Sequence, residues 1–505
     1  MSRRAAAVAA APSTATEALH RAHKRTHADF RARLALLLTA LDAAPAARNE
    51  LPELVTAVLD AVGPAGSDVV WLTLAVVSGS LPTSEEVITV RRAVELDGPA
   101  RALVAAAERT TTDSGLRTVR LLRDATLVDL GDLVSSPLGT GIQRVARNVT
   151  SEWVARHEVT ITAWTSSFDA LRVVGGPERG AALAGVKPDP ESGRTVAVVQ
   201  DVVVPWGCTY VLPELAIQPA RCLALAALAA YSRNRTGVIG FDCVPLTSPE
   251  TSAQGFAGVF ALNLAAVAHF DTVGAISGAA AAEYEGWRRM LEGTGLTGPA
   301  ITAVGLPGHA PEPEADAMRE ATERFLIPGL PLVLVVGSHE PRKNHLAVLH
   351  AAERLWRRGH RFSLTFIGGA SWGSDEFTTQ LEGLQGVGRP VESVSRLPDR
   401  MLWAAYRLAR CTLFPSLNEG FGLPVAESLS AGTPAITSDF GAMREIAEGG
   451  GAFLVNPRSD NDLTAALERM VTDDVLIARL RAAALARPRE TWSDYAERLW
   501  QLFHS

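Results

Sequence analysis

The stretch Phe414-Pro-Ser-Leu-Asn-Glu419-Gly-Phe-Gly-Leu-Pro-Val-Ala-Glu427-Ser-Leu-Ser-Ala-Gly-Thr-Pro434 decides how this chain is read. It starts as a strand that ends at Pro415 and Ser416, passes through a loop carrying Glu419 and two glycines, and enters a helix. Pro424 suits the first helical turn, where its missing N–H has no intrahelical partner to lose, and Gly432 with Pro434 marks the stop. Glu419 is thus expected at the carboxyl end of a strand, with Glu427 about one turn into the next helix, both facing one crevice. In open α/β sheets that crevice is where ligands bind.

The residue types there suit a ligand with phosphates and hydroxyls. The helix start at Phe421 to Val425 offers backbone N–H groups and the positive end of the helix dipole, which favour a phosphate. Gly420 and Gly422 let the main chain approach closely. A carboxylate accepts two parallel hydrogen bonds, so Glu427 suits the vicinal hydroxyls of a ribose and Glu419 those of a second sugar. A basic pair, Arg342 and Lys343, follows the expected strand from Pro331 to Gly337 and is placed to neutralise a diphosphate.

Working outward, β-rich runs alternate with helical segments on both sides of the motif. The second half reads as strands at 331–337, 362–367, 411–414, 435–437 and 452–455. The first half reads as strands at 126–130, 159–164, 195–204 and 236–241. Such alternation marks parallel sheets covered by helices on both faces, so two successive Rossmann-like units are expected, joined near Pro307 to Pro313. Before them, residues 17–110 read as helices, with no chemistry evident, and 110–115 as a linker. The Ala-rich start, residues 1–16, reads as a flexible tail rather than a secretory signal.

Bulk composition narrows the class. At 505 residues the chain exceeds a single core. Hydrophobic residues at 47% and charged residues at 20% describe an ordinary globular protein. The net charge of -7, with no basic block interleaved with aromatics, disfavours nucleic acid. No run is long and apolar enough to span a membrane. Four cysteines without C-x-x-C spacing read as buried small side chains.

Taken with its surroundings, Glu419-Gly-Phe-Gly-Leu-Pro-Val-Ala-Glu427 resembles the E-x7-E motif of retaining GT-B glycosyltransferases of family four. Val336-Gly-Ser-His-Glu-Pro-Arg-Lys-Asn-His345 resembles the family's Glu-Pro-Arg-Lys-Asn branch, with Ser338 where many relatives carry an Arg. The resemblance implies a GT-B fold, two Rossmann-like domains facing across a cleft, here with an N-terminal helical extension. The implied division is a helical extension at 1–115, an acceptor domain at 116–307, a nucleotide-sugar domain at 308–487, and a helix at 488–505 crossing back to the first domain.

The resemblance also implies roles. Glu419, Lys343 and Arg342 would serve catalysis; Gly420, Phe421, Gly422 and Leu423 would approach sugar and phosphate, and Glu427 the ribose. Arg396 and Leu397 fall where relatives place the nucleobase. Gly139-Thr140-Gly141, with Gln143 and Arg144, is similar to the family's T-G-I-Q-R-V segment, whose glycines face donor phosphate or acceptor. Phe241-Asp242-Cys-Val-Pro245 is similar to H-D-L-I-P; Asp242 would orient sugar or acceptor, and Phe241 in place of His leaves the proton acceptor unassigned.

No metal is expected. Asp460-Asn461-Asp462 has a metal-like D-x-D spacing but reads as a helix cap, and His339, His345 and His350 lack ligand spacing. The expected function is metal-independent, retaining transfer of a hexose or deoxyhexose from a nucleotide diphosphate sugar to an acceptor hydroxyl on a glycan, lipid-linked sugar or small molecule. The donor is a substrate and no separate cofactor is expected; GDP-mannose and dTDP- or GDP-deoxysugars are the first candidates by analogy. A cytoplasmic location is expected, with peripheral membrane contact left open and no oligomeric state indicated. Alternatives are a GT-B nucleotide-sugar epimerase or phosphorylase, or a catalytically silent nucleotide-sugar-binding protein.

Overall fold

The computed structural model describes residues 2–63, 66–135, 140–186 and 201–505, with backbone alone for 2–10. Gly139 and the first part of the strand expected at 195–204 lie outside the described residues.

Two sheets form the frame. The first contains β1 (Thr118–Leu122), β2 (Thr126–Asp129), β3 (Thr160–Trp164), β4 (Leu171–Val173), β5 (Asp201–Pro205), β6 (Thr209–Leu212), β7 (Arg235–Gly240), β8 (Thr272–Ala275) and β9 (Ala300–Ala303). Its order is β1-β5-β4-β3-β2-β6-β7-β8-β9, and β4 runs antiparallel to both neighbours among otherwise parallel strands. The second contains β10 (Leu332–Val336), β11 (Ser363–Ile367), β12 (Val391–Val394), β13 (Cys411–Phe414), β14 (Ala435–Ser438) and β15 (Ala452–Val455), all parallel, in the order β12-β11-β10-β13-β14-β15. These are the two Rossmann-like domains that the sequence implied.

Strand side chains alternate between faces, so each sheet feeds two cores. In the first sheet Leu127, Tyr210 and Val238 pack on one side, and their neighbours Val128, Val211 and Ile239 on the other. In the second, Val333 and Val335 face one core while Leu332 and Leu334 face its opposite. Burial on both sides explains why these strands are continuous apolar runs.

The N-terminal helices share the first sheet's core. Trp71, on the helix Ser67–Ser78, stacks on Trp206 with ring centroids 6.4 Å apart. The segment read as a linker is instead a packed turn, Thr112–Gly115, with its own capping box. Buried Arg33 donates to the carbonyls of Ser114 and Gly115 at 2.6 and 3.1 Å, satisfying groups that a solvated linker would leave to water. The expected flexible tail is also structured: a helix spans Ser2–Thr26 and buries Ala15 and Leu19. Alanine has the highest helix propensity of any residue, and docking supplies the remaining stability.

The last helix, Trp492–His504, returns to the first sheet. Phe503 and Leu499 lie where side chains on Gly237 and Gly274 would be, and Trp153 Nε1 donates to the Ala496 carbonyl at 2.8 Å. The two sheets thereby present the carboxyl ends of β7, β10, β11, β12 and β13 to one shared cleft.

Candidate active site

The loop after β13 carries Ser416, Asn418 and Glu419 to the cleft, and the helix Leu423–Ser430 follows. Its N-cap, Gly422, sits at φ 103, a left-handed conformation that glycine adopts without a Cβ clash. No side chain caps this helix start, which leaves its amide end toward the cavity. Gly420 has a different reason to be glycine: a Cβ there would lie 2.2 Å from the Phe241 carbonyl oxygen of the first unit.

Two carboxylates define the site. Glu419 is gripped on both oxygens: Lys343 Nζ lies 2.6 Å from Oε1 and Arg342 Nη1 2.6 Å from Oε2, while Ser416 Oγ donates at 2.7 Å. Burial alone would raise this carboxyl, but the two cations outweigh it and hold it at about 2. Lys343 also rests over the Phe414 ring at 4.9 Å. The basic pair is presented by a short 3-10 turn, Pro341–Lys343, before the helix His345–Arg357.

Glu427 is buried on the helix after the loop. Arg144 Nη1, from the helix Gly141–Arg156 of the first unit, donates to its Oε1 at 2.5 Å, and Tyr406 Oη donates to Oε2 at 3.0 Å. Burial raises this carboxyl despite the opposing pull of Arg144 and Tyr406. Arg144 lies 5.3 Å from the Trp403 ring centroid, which sandwiches it between the units.

A cavity of about 690 Å³ unites these groups. Glu419, Lys343, Arg342 and Glu427 line it together with Gly420, Phe421, Gly422 and Leu423. Gly141, Arg144 and Asp242 enter from the first unit, and Arg396 and Leu397 close the far side beyond β12. These residues, to which the resemblance gave catalytic or binding roles, therefore line one space. Burial raises the Asp242 carboxyl to about 6 against the lowering effect of Arg342. Arg396 is held at φ 55, a left-handed backbone rare for a residue with a side chain.

Sequence reasoning missed three participants. Glu340 pairs with Arg342 at 3.2 Å and accepts from Ser338; its own Glu-Pro-Arg-Lys context was the available signal. Tyr406 and Trp403 come from the helix Asp399–Leu408, which carries no motif. The Asp460-Asn461-Asp462 segment begins the helix Asp460–Thr472, with Ser459 as its cap. Among the described residues no three His, Cys, Asp or Glu side chains cluster as metal ligands would, and no helix is long and apolar enough to cross a membrane.

Residues 319–487 match the model of the family described as glycosyl transferases group 1. The chain is 28% identical over 357 residues to a serotype-specific mannosyltransferase, WbdA, of Escherichia coli, covering 68% of this chain and 42% of that protein. It is 30% identical over 201 residues to a D-inositol 3-phosphate glycosyltransferase of Corynebacterium aurimucosum, covering 38% and 47%. The chain thus spans less than half the length of these relatives. Among solved structures, Anabaena HepE in complex with UDP and glucose aligns with a TM-score of 0.55 at 14% identity, covering 76% of this chain and all of that one. Sucrose-phosphate synthase from Thermosynechococcus elongatus aligns at 0.51 and 16%, covering 76% and 98%. The C-terminal unit thus matches the glycosyl transferases group 1 family over residues 319–487, and the chain shares the two-domain GT-B fold of these solved structures.

Proposed function

We propose that the chain moves a hexose or deoxyhexose from a nucleotide diphosphate sugar to an acceptor hydroxyl, with retention and without a metal ion or separate cofactor. One observation carries this reading: Lys343 and Arg342 converge on Glu419 in the same cavity that Glu427 walls. The names of relatives, a mannosyltransferase and a D-inositol 3-phosphate glycosyltransferase, support sugar transfer and make GDP-mannose the first donor to try.

In this reading Glu427 holds the ribose, the helix start at Leu423 and the two cations hold the diphosphate, and Glu419 holds the hydroxyls of the transferred sugar. The bond between the anomeric carbon and the diphosphate oxygen breaks, and its electron pair leaves with that oxygen. Arg342 and Lys343 stabilise the charge that develops there, a role that preorganised cations fill without reorganising. The acceptor oxygen bonds to the anomeric carbon from the same face, and its proton passes to the departing phosphate oxygen. Asp242, where the two units meet, orients the acceptor. The four cysteines are free and buried, which suits a reducing compartment, and we place the chain in the cytoplasm.

The test is to incubate the chain with GDP-mannose and a mannoside acceptor, with and without a chelator, and to read the product's anomeric configuration by NMR. A product with the donor's configuration, formed equally in chelator, is expected. An inverted product, or activity abolished by the chelator and restored by metal, would contradict the reading.

A further inference from the structure

A second cavity, of about 340 Å³, adjoins the first on the side of the first unit. Ile142, Phe241, Asp242, Glu340 and Arg342 line both, so the two spaces meet where Asp242 stands. The volume lies within the range of small-molecule sites, about 300–1,000 Å³. Much of its lining is apolar, including Leu215, Val244, Phe256 and Phe260, and the second unit contributes Trp372.

One polar group in that wall is unexplained by the fold. Asn263, on the helix Phe256–Val267, is 3% exposed and lines the cavity, and its Oδ1 has no hydrogen-bond partner among the described residues. A buried carbonyl without a donor is destabilising, and cores avoid it unless a ligand supplies the bond. A hydroxyl entering the cavity would do so.

The charges on the wall select the kind of molecule. Asp242 and Glu340 bring carboxyl groups to the wall, while the Glu214 carboxyl is taken up by Arg221 and the amides of Asp132 and Leu133, and Arg342 is the one cation among the described lining residues. In the proposed reaction this guanidinium, held by Glu340 and Glu419, serves the donor diphosphate, so it is not left over for a phosphate on the acceptor. A phosphate on the acceptor would meet carboxyls and no free cation, the reverse of how anions are recognised. A neutral sugar instead offers a C–H face to Trp372 and the apolar wall, and hydroxyls to Asn263 and Asp242.

We infer that this cavity takes a neutral sugar as acceptor, that Asn263 fixes it through one hydroxyl, and that phosphorylated sugars and polyols are refused. The inference rests on the proposed transfer reaction and names the acceptor class for it.

The test uses the full chain with GDP-mannose and two acceptor sets: the methyl α-glycosides of mannose, glucose and galactose, and the 6-phosphates of the same sugars with D-inositol 3-phosphate. Release of GDP above the acceptor-free rate is measured for the wild type and for Asn263→Leu, whose side chain has a similar size and needs no hydrogen bond. At least one neutral glycoside is expected to raise release and no phosphate to do so. In Asn263→Leu the KM for that glycoside should rise at least tenfold, with kcat changed far less and the thermal shift caused by GDP-mannose preserved. Stimulation by a phosphorylated acceptor, no stimulation by any neutral one, or an unchanged KM in Asn263→Leu would overturn the inference. If GDP-mannose and the other candidate donors neither bind nor turn over in the wild type, the transfer reading itself falls. That outcome is distinct from a donor that binds while Asn263 proves irrelevant.

Discussion

Arg144 and Glu427 are joined across the cleft by a 2.5 Å hydrogen-bonded ion pair, although 283 positions separate them in the chain. The carboxylate proposed to hold a donor ribose is therefore occupied by an arginine from the opposite unit. The contact belongs to a set that fastens the units together. Ser277 Oγ donates to the Gly420 carbonyl at 2.6 Å, and the amides of Gly278 and Ala279 donate to Glu445 at 3.0 Å each. In the proposed reaction a ribose bound at Glu427 would take the place of Arg144 as its partner.

Because Glu427 is almost fully buried, its pairing with Arg144 should register as a measurable coupling. A double-mutant cycle of Arg144→Ala and Glu427→Gln, followed by urea unfolding, is expected to show about 1–3 kcal/mol of interaction energy. Simple additivity within about 0.5 kcal/mol would show that the two side chains do not depend on each other in solution.

Removing one cation from the grip on Glu419 should damage the chemistry more than donor binding. For Lys343→Ala and Arg342→Ala, kcat is expected to fall by about 10²–10³, the usual effect of deleting one group that stabilises developing charge. Each variant should also lose about 1–3 kcal/mol of stability, since Glu419 keeps only part of its partner set. Steady-state kinetics with a saturating donor decides the matter, and a kcat within threefold of wild type would exclude both side chains from the leaving-group site.

Acid should expose Glu419. Its carboxyl is held at about 2 in the fold against an ordinary 4.5, so the unfolded chain takes up the proton first as pH falls. The stability it contributes is complete above pH 4.5 and is lost as pH drops toward about 2. In Glu419→Gln the acid-induced loss over that window is expected to be shallower than in wild type. Equal slopes in denaturant titrations across the window would contradict the assigned ion pairs.

Asp242 has the opposite shift, raised by burial from 3.8 to about 6. Between those values the unfolded chain is already ionised while the folded one is not, so this group costs stability as pH rises through the interval. If its carboxylate orients the acceptor, kcat/KM should decline as pH falls below about 6. The pH profile of Asp242→Asn should be lower and lack that limb. An unaltered acid limb in Asp242→Asn would assign the titration to another group.

Gly420→Ala places a methyl group against main chain, because the Phe241 carbonyl oxygen lies 2.2 Å from the built Cβ position and cannot swing aside as a side chain would. The units are expected to part. Small-angle scattering should report a larger radius of gyration, with transfer strongly reduced. A variant as compact and active as wild type would mean that this approach is not required.

Much of this architecture was legible because buried parallel strands advertise themselves. Leu332-Val-Leu-Val-Val336 has no polar face and can only be a core element, and Glu419 to Pro434 combines loop glycines, a first-turn proline and a helix stop. Strands β1, β6, β8, β9 and β12 went unread for a physical reason: they are four or five residues long and contain Thr, Gly, Ala, Arg or Glu, so neither run length nor alternation separates them from turns. The three-residue β4, antiparallel among parallel neighbours, is set by its sheet partners rather than by its own residues. Arg342 and Lys343 were legible as a basic pair after β10, but their grip on Glu419 is a contact between segments 76 positions apart that no local pattern encodes. Tyr406 and the Arg144–Glu427 pair share that character. Local chemistry identified the residues, whereas their mutual pairing required the fold.

The most direct test is a crystal structure of the chain soaked with the nucleoside diphosphate of its working donor. The account predicts a ribose hydroxyl on Glu427, Arg144 displaced from it, and the diphosphate within hydrogen-bond reach of Arg342, Lys343 and the amides at the start of Leu423–Ser430. A nucleotide bound outside this cavity, or one bound inside it with Glu427 still held by Arg144 and both cations remote from phosphate, would contradict it.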